Sequence, residues 1–185
     1  IKGRSELYQN NLQIVINSVR KVDKSEVCLD DFLAKTDKNV DQLFAELKEM
    51  LQGVQHAQLK PLIAAFLDDE ALMEQFCRGP AAIKIHHGYL GGLLEHTHNM
   101  MRVAKAIMPF YPHIQEDLVL AAIFLHDIGK TEELSCDMAF QYTDSGQLIG
   151  HIVKSTLMIN QKAAALRAQG QDVDSELVDA LCHIV

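Results

Sequence analysis

Leu118-Val119-Leu120-Ala121-Ala122-Ile123-Phe124-Leu125-His126-Asp127-Ile128-Gly129-Lys130 is the stretch whose reading decides the fold. Its leading apolar run, Leu118 to Leu125, fits a strand buried on both faces or a helix buried all round, and periodicity does not separate the two. The flanks do. Glu116 and Asp117 make an acidic first turn, Ala121 and Ala122 suit a helix better than a strand, and Gly129 before Lys130 reads as a C-terminal stop. A buried helix of about three turns is expected. A carboxylate and an imidazole at the inner end of such a helix are costly to bury without a partner, and a divalent cation would satisfy both.

Adjacent helical residues diverge by about 100°, so His126 and Asp127 reach an ion only in a crevice between helices, and further ligands must come from elsewhere. The preceding helical segment supplies one. With Leu93 as origin, Leu94, Thr97, Met100, Met101, Ala104, Ile107 and Met108 fill a sector from about −40° to +100°. His98 falls in the opposite arc with Glu95, Arg102 and Lys105 and is read as solvated. His96, at about −60°, lies on the edge of the buried sector. A loop around Pro109, Tyr111 and Pro112 would let the two helices lie antiparallel, bringing His96 to His126 and Asp127. A His/His/Asp set suits manganese, iron, zinc or magnesium with waters. By spacing alone, a core histidine beside an aspartate that caps or salt-bridges stands level with that reading.

The rest of the chain bounds the answer. With 48% hydrophobic and 23% charged residues in 185, composition is ordinary for one globular domain with a sizeable core and an appendage. No run approaches the roughly 18 apolar residues of a membrane span, and no signal-peptide core opens the chain. A soluble, cytoplasmic protein without a membrane partner is expected. Cys28, Cys77, Cys136 and Cys182 form no CxxC pair and read as free thiols of a reducing compartment. A net charge of −8 argues against a surface that binds nucleic acid throughout. The charge is divided, however: residues 1–24 hold five basic and two acidic side chains, the remainder twelve and twenty-three.

Within residues 1–24, Leu12, Ile14 and Ile16 alternate with Gln13, Val15 and Asn17 after an Asn10-Asn11 turn and a shorter run from Lys2 to Tyr8. Asn tolerates the positive φ of tight turns, so a β-hairpin is expected. A lone hairpin is marginal in water; it would complete a sheet whose other strands lie upstream of Ile1, or pack on the helical body. Val22 to Lys38 reads as a linker with one short helix at Leu29 to Leu33. Asn39 then caps a helix carrying Val40, Leu43, Phe44, Leu47, Met50 and Leu51 up to Gly53. A second helix carries Leu59, Leu62, Ile63, Phe66 and Leu67, and a third runs from Asp69 to Cys77 before Gly79-Pro80. These helices look like scaffold.

Two blocks, Gly91-Gly92-Leu93-Leu94-Glu95-His96 and Leu125-His126-Asp127-Ile128-Gly129-Lys130, resemble the HD superfamily of metal-dependent phosphohydrolases. Two more, His86-His87-Gly88-Tyr89 and Tyr142-Thr143-Asp144-Ser145-Gly146 leading into Gly150-His151-Ile152-Val153, narrow the resemblance to the YhaM-type 3′→5′ exoribonucleases. The likeness covers residues 80–185 well and residues 1–24 weakly. It implies a mainly α protein: an HD-domain helical bundle with a small N-terminal β-hairpin that looks like the tail of an OB-fold. The implied division is an OB-type remnant over 1–24, a linker and helical scaffold over 25–80, and an HD phosphohydrolase domain over 81–185.

By the same resemblance, His96, His126 and Asp127 match the family's metal ligands, with Asp127 the bridge if two ions bind, and His151 matches a further histidine of a binuclear site. On its own helix, His151 reads as an N-terminal surface residue. His86 and His87 match a loop pair bordering the substrate pocket, with Gly88 where the family usually has Ala. The family continues past the equivalent of Val185 into further ligands, so the shell is expected to be incomplete; His183 projects with Glu176 and Asp179 and is read as solvated.

The implied cofactor is one or two divalent ions, manganese foremost, with iron, zinc, magnesium or nickel as alternatives. The implied chemistry is metal-assisted phosphodiester hydrolysis in which Asp127 fixes the metal. Lys130 either reaches a phosphate oxygen as a catalytic and substrate-binding cation or sits as a cation on a helix C-terminus. The substrate expected is single-stranded RNA or DNA, bound at the basic hairpin through phosphates and stacking. A small-nucleotide phosphohydrolase and a non-catalytic metal-binding regulatory module are the alternatives. Oligomeric state is left open, a homo-oligomer included.

Overall fold

Apolar residues recurring every three to four positions wind most of this chain into helices, and the computed structural model describes residues 1–27, 31–84, 86–136 and 139–185. The chain forms two compact units, 1–32 and 33–185. It is mainly helical, with a small antiparallel hairpin at its N-terminus.

In the first unit, β1 (Lys2–Tyr8) pairs antiparallel with β2 (Asn11–Ser18), Tyr8 opposite Asn11 and Arg4 opposite Val15. The turn is Gln9-Asn10, both at positive φ (48° and 60°), one residue earlier than Asn10-Asn11. Asn11 is taken up by the ladder, which moves the turn onto Gln9. Such left-handed pairs match the right-handed twist of the flanking strands. Leu7, Leu12, Ile14 and Ile16 are exposed within this unit. The short helix expected at Leu29 to Leu33 lies partly outside the described residues, and Cys28 lies wholly outside them.

The second unit begins with α1 (Val40–Gln52), capped by Asn39 Oδ1, which accepts from Gln42 N–H at 3.0 Å. Helix α2 (Leu59–Leu67) follows, then α3 (Glu70–Arg78), capped by Asp69. Next come α4 (Gly92–Ile107) and α5 (Glu116–Leu125). The short α6 (Lys130–Glu133) leads into a two-residue ladder between β3 (Leu134–Ser135) and β4 (Gln141–Tyr142). Helices α7 (Asp144–Ile149), α8 (His151–Ala168) and α9 (Ser175–Ile184) complete the unit. No helix among the described residues is long and apolar enough to cross a membrane.

Helix α5 is the buried rod expected of its sequence. Leu120, Ala121, Ala122, Phe124 and Leu125 are all buried, and Phe124 stacks edge-on against Phe66 and Phe76 at centroid distances of 6.3 and 5.8 Å. Burying a Phe side chain contributes about 1.5–3 kcal/mol, and each edge-on aromatic pair about 0.5–1.5 kcal/mol more. Asp117, in the acidic first turn, accepts the backbone N–H groups of Gln55 and His56 at 2.9 and 2.8 Å. The connection between α1 and α2 is thereby tied to the start of α5.

Gly129 does not stop α5. That helix ends at Leu125, residues 126–129 form a turn, and Gly129 has an ordinary φ of −64°. What this position requires is the missing side chain: a Cβ would collide with the carbonyl of His151 and the backbone nitrogen of Ser155. The turn that presents His126 and Asp127 is thus pressed against the N-terminus of α8.

Candidate metal centre

Asp127 is the buried hub of the site, with 6% of its side chain exposed. Its Oδ2 lies 2.8 Å from Lys130 Nζ, 3.2 Å from His126 Nε2 and 3.6 Å from His96 Nε2. Its Oδ1 lies 3.5 Å from His151 Nε2. Three imidazoles from α4, the 126–129 turn and α8 converge on one carboxylate, with the ammonium at the start of α6 beside it. The ligand atoms of His96, His126 and Asp127 all lie within 4.8 Å of one another.

The bonds at the outer nitrogens set which ring atom faces inward. His126 Nδ1 is 2.7 Å from the carbonyl of Ile123, one turn back. A carbonyl only accepts, so Nδ1 donates to it and Nε2 is the ring atom that faces Asp127. Glu133 does the same for His151: its Oε1 accepts from Nδ1 at 3.0 Å and from the His151 backbone N–H at 3.0 Å. Two Nε2 atoms facing one carboxylate at 3.2 and 3.5 Å leave room between them for a proton or a cation.

Burial pushes the His96 imidazole down to about 4, an effect the Asp127 charge only partly offsets. This ring is neutral at pH 7 and available as a ligand. Burial alone would raise the Asp127 carboxyl; hydrogen bonding and charge from His126, with the Lys130 ammonium, outweigh it and hold the group below the carboxylate range.

The turn is braced from α8 by Ser155, which is fully buried. Its Oγ accepts from Gly129 N–H at 2.9 Å and donates to the His126 carbonyl at 3.0 Å. On the α4 side, Glu95 is buried and accepts from Thr36 Oγ1 at 2.7 Å and Tyr89 OH at 2.9 Å, with Lys38 Nζ at 2.9 Å. Burial opposes the Glu95 charge, but these donors prevail and lower its pKa, while burial and Glu95 together push the Tyr89 phenol up to about 12.

One sequence expectation for α4 fails. His98 is 2% exposed rather than solvated, its Nε2 2.7 Å from Glu46 Oε2, and Glu95 is covered as well. Helix α1 and the segment around Thr36 pack on the arc that looked outward. His96 does lie at the edge of the buried sector, with 20% of its side chain exposed. His183 is exposed, as expected. His86 and His87 sit beside His96, at ring-centroid distances of 6.1 and 5.4 Å.

Lys130, His151 and Glu133 also border a cavity of about 500 Å³, whose wall continues through Lys84, Tyr142, Ala81 and Leu134. Glu133, Ser155 and the Ile123 carbonyl were not anticipated from the sequence; the Glu132-Glu133 pair just after Lys130 was the sole signal for the first. No protein-family model matches the chain, and no solved structure matches it.

Proposed function

We propose that this chain carries the centre of a metal-dependent phosphodiester hydrolase, acting as a 3′→5′ exonuclease on single-stranded RNA or DNA. The observation that supports it most is the pinning of both outer nitrogens. With Nδ1 of His126 and of His151 already donating, their Nε2 atoms face Asp127, and a divalent cation fits that donor set. His96, His126, Asp127 and His151 would hold it; three imidazoles and a carboxylate suit manganese or iron, with zinc, nickel and magnesium as alternatives. Bound there, the cation supplies Lewis-acid chemistry toward a phosphodiester and its attacking water.

The side chains around it are arranged for such a substrate. Lys130, with 15% of its side chain exposed, borders both the hub carboxylate and the cavity, where its ammonium can meet a phosphate oxygen. Lys84 offers a second cation on the cavity wall, and the half-exposed Tyr142 ring a surface on which a base can stack. Glu133 holds His151 in place through its backbone N–H and Nδ1. The N-terminal segment 1–24, with five basic and two acidic side chains, is read as part of an OB-type surface for the strand, and the direction of attack comes from the resemblance to the YhaM-type exoribonucleases.

A small-nucleotide phosphohydrolase is the second reading, favoured by the size of the cavity, about 500 Å³, and by the net charge of −8. The deciding experiment is manganese-dependent release of mononucleotides from single-stranded RNA by this chain and by Asp127→Asn. Release by the parent chain alone supports the nuclease. Phosphate released from nucleoside phosphates with RNA left intact moves the conclusion to the second reading, and bound manganese without either reaction leaves a metal-binding module.

A further inference from the structure

The loop entering α4 brings a second group of nitrogen donors to His96. His86, His87 and His96 offer ring nitrogens that all lie within 4.8 Å of one another. The rings are 5.7 Å apart for His86 and His87, 6.1 Å for His86 and His96, and 5.4 Å for His87 and His96. No carboxylate belongs to this group.

His87 is held in it by the backbone. Its φ is +60°, its carbonyl accepts from Ala81 N–H at 3.0 Å, and that carbonyl lies where a side chain on Gly92 would be. Its own Nδ1 is buried and has no hydrogen-bond partner. A buried polar atom left in that state costs about 1–3 kcal/mol. A ring fixed by the fold, with a nitrogen that nothing satisfies, suits a ligand waiting for a cation. His86 is exposed and can rotate about its side-chain torsions to close the set.

We propose that His86, His87 and His96 form a second cation site, for late divalent transition metals such as zinc or nickel, which competes with the Asp127 group for His96. A neutral imidazole has one in-plane lone pair, so His96 serves one group at a time. The two groups differ in chemistry. Three imidazoles completed by water make a familiar zinc arrangement with little affinity for manganese, whereas the Asp127 group adds a carboxylate to its imidazoles and so accepts the harder manganese as well. Zinc–nitrogen bonds of about 2.0–2.1 Å bring tetrahedral donors to about 3.3 Å of one another, a contraction within reach of the exposed His86 side chain. Filling this site withdraws His96 from Asp127; only the consequence for hydrolysis rests on the function proposed above.

Binding, rather than turnover, tests it. Zinc affinity is measured by competition with a chromophoric chelator, cobalt(II) absorption reports ligand geometry, and manganese affinity is measured on the same samples. The parent chain is compared with His86→Ala, His87→Ala and Asp127→Asn. His86→Ala alters an exposed residue and carries the test if His87→Ala does not fold. Zinc affinity is expected to fall by about tenfold to a hundredfold in both histidine variants and to stay within about threefold in Asp127→Asn. Manganese affinity is expected to collapse in Asp127→Asn and to survive in His86→Ala. Zinc binding that is lost in Asp127→Asn and indifferent to His86→Ala overturns the second site. Manganese binding to the zinc-loaded chain at undiminished affinity overturns the sharing of His96. Neither readout depends on RNA hydrolysis, so a failed nuclease assay leaves this result standing.

Discussion

Glu133 Oε1 lies 3.0 Å from both the backbone nitrogen and Nδ1 of His151, so one buried carboxylate caps helix α8 and orients the ring at its N-terminus with Nε2 toward Asp127. Gly150, at the capping position, makes no side-chain bond of its own. Glu133→Gln keeps an acceptor but removes the charge, and it is expected to weaken manganese binding by about tenfold, within the range found when outer partners of ligating histidines are changed. Titration calorimetry with manganese measures this. An unchanged affinity in a folded variant would mean that His151 takes no part in holding the ion.

Lys130 Nζ and Asp127 Oδ2, 2.8 Å apart, are expected to pull in opposite directions when the lysine is changed. The ammonium occupies an oxygen that a cation needs, so Lys130→Gln should bind manganese more tightly. If the same ammonium also meets substrate phosphate, KM for single-stranded RNA should rise by about tenfold while kcat changes less, the cost of one charge-assisted hydrogen bond. Tighter metal binding with KM unchanged would reduce Lys130 to a counter-charge for Asp127.

The parts of this arrangement that were legible in the sequence are those written within single helices. Asn39 and Asp69 sit at caps ahead of periodic apolar residues, and the apolar run from Leu118 to Leu125 marks a helix with Leu120, Ala121, Ala122, Phe124 and Leu125 buried and Leu118, Val119 and Ile123 half-buried. His96 was visible because its angle on α4 is a local property. Whether a polar arc faces water is not. His98 shares its arc with Arg102, and only the packing of α1 puts Glu46 against it. The link between Glu133 and His151 spans the β3–β4 ladder and α7, a contact between elements that no residue spacing encodes. Gly129 has the right residue type for a helix stop and a different reason for being there, the approach of α8.

Ser155 is the strut between α8 and the turn that carries His126 and Asp127. Ser155→Ala strands the buried Gly129 N–H and releases the His126 carbonyl. A destabilisation of about 1–3 kcal/mol is expected, the cost of an unsatisfied buried donor. Urea denaturation measures it, and manganese affinity measured on the same variant should fall as the turn relaxes. A stability loss with metal affinity intact would show that the strut supports packing and not ligand geometry.

The His96 imidazole makes a pH-dependent contribution whose sign follows from its depression to about 4, against an ordinary value of 6.5. Between those two values the unfolded chain takes up a proton that the folded chain refuses, so stability falls as pH drops from 6.5 toward 4. The loss is about 2–3 kcal/mol when complete, allowing for the part of the ring that remains exposed. Asp127 acts in a different window. Its folded value is depressed below the ordinary 3.8, so its contribution is fully present above that pH and is lost only in stronger acid. Urea midpoints at pH 7, 5.5 and 4.5 should therefore decline in the parent chain and flatten in His96→Gln, while both chains keep the acid-induced loss below pH 4. Equal slopes in the two chains would mean that His96 is not held neutral by burial, and the same ring would then lose its claim to be a ligand ready for a cation at pH 6.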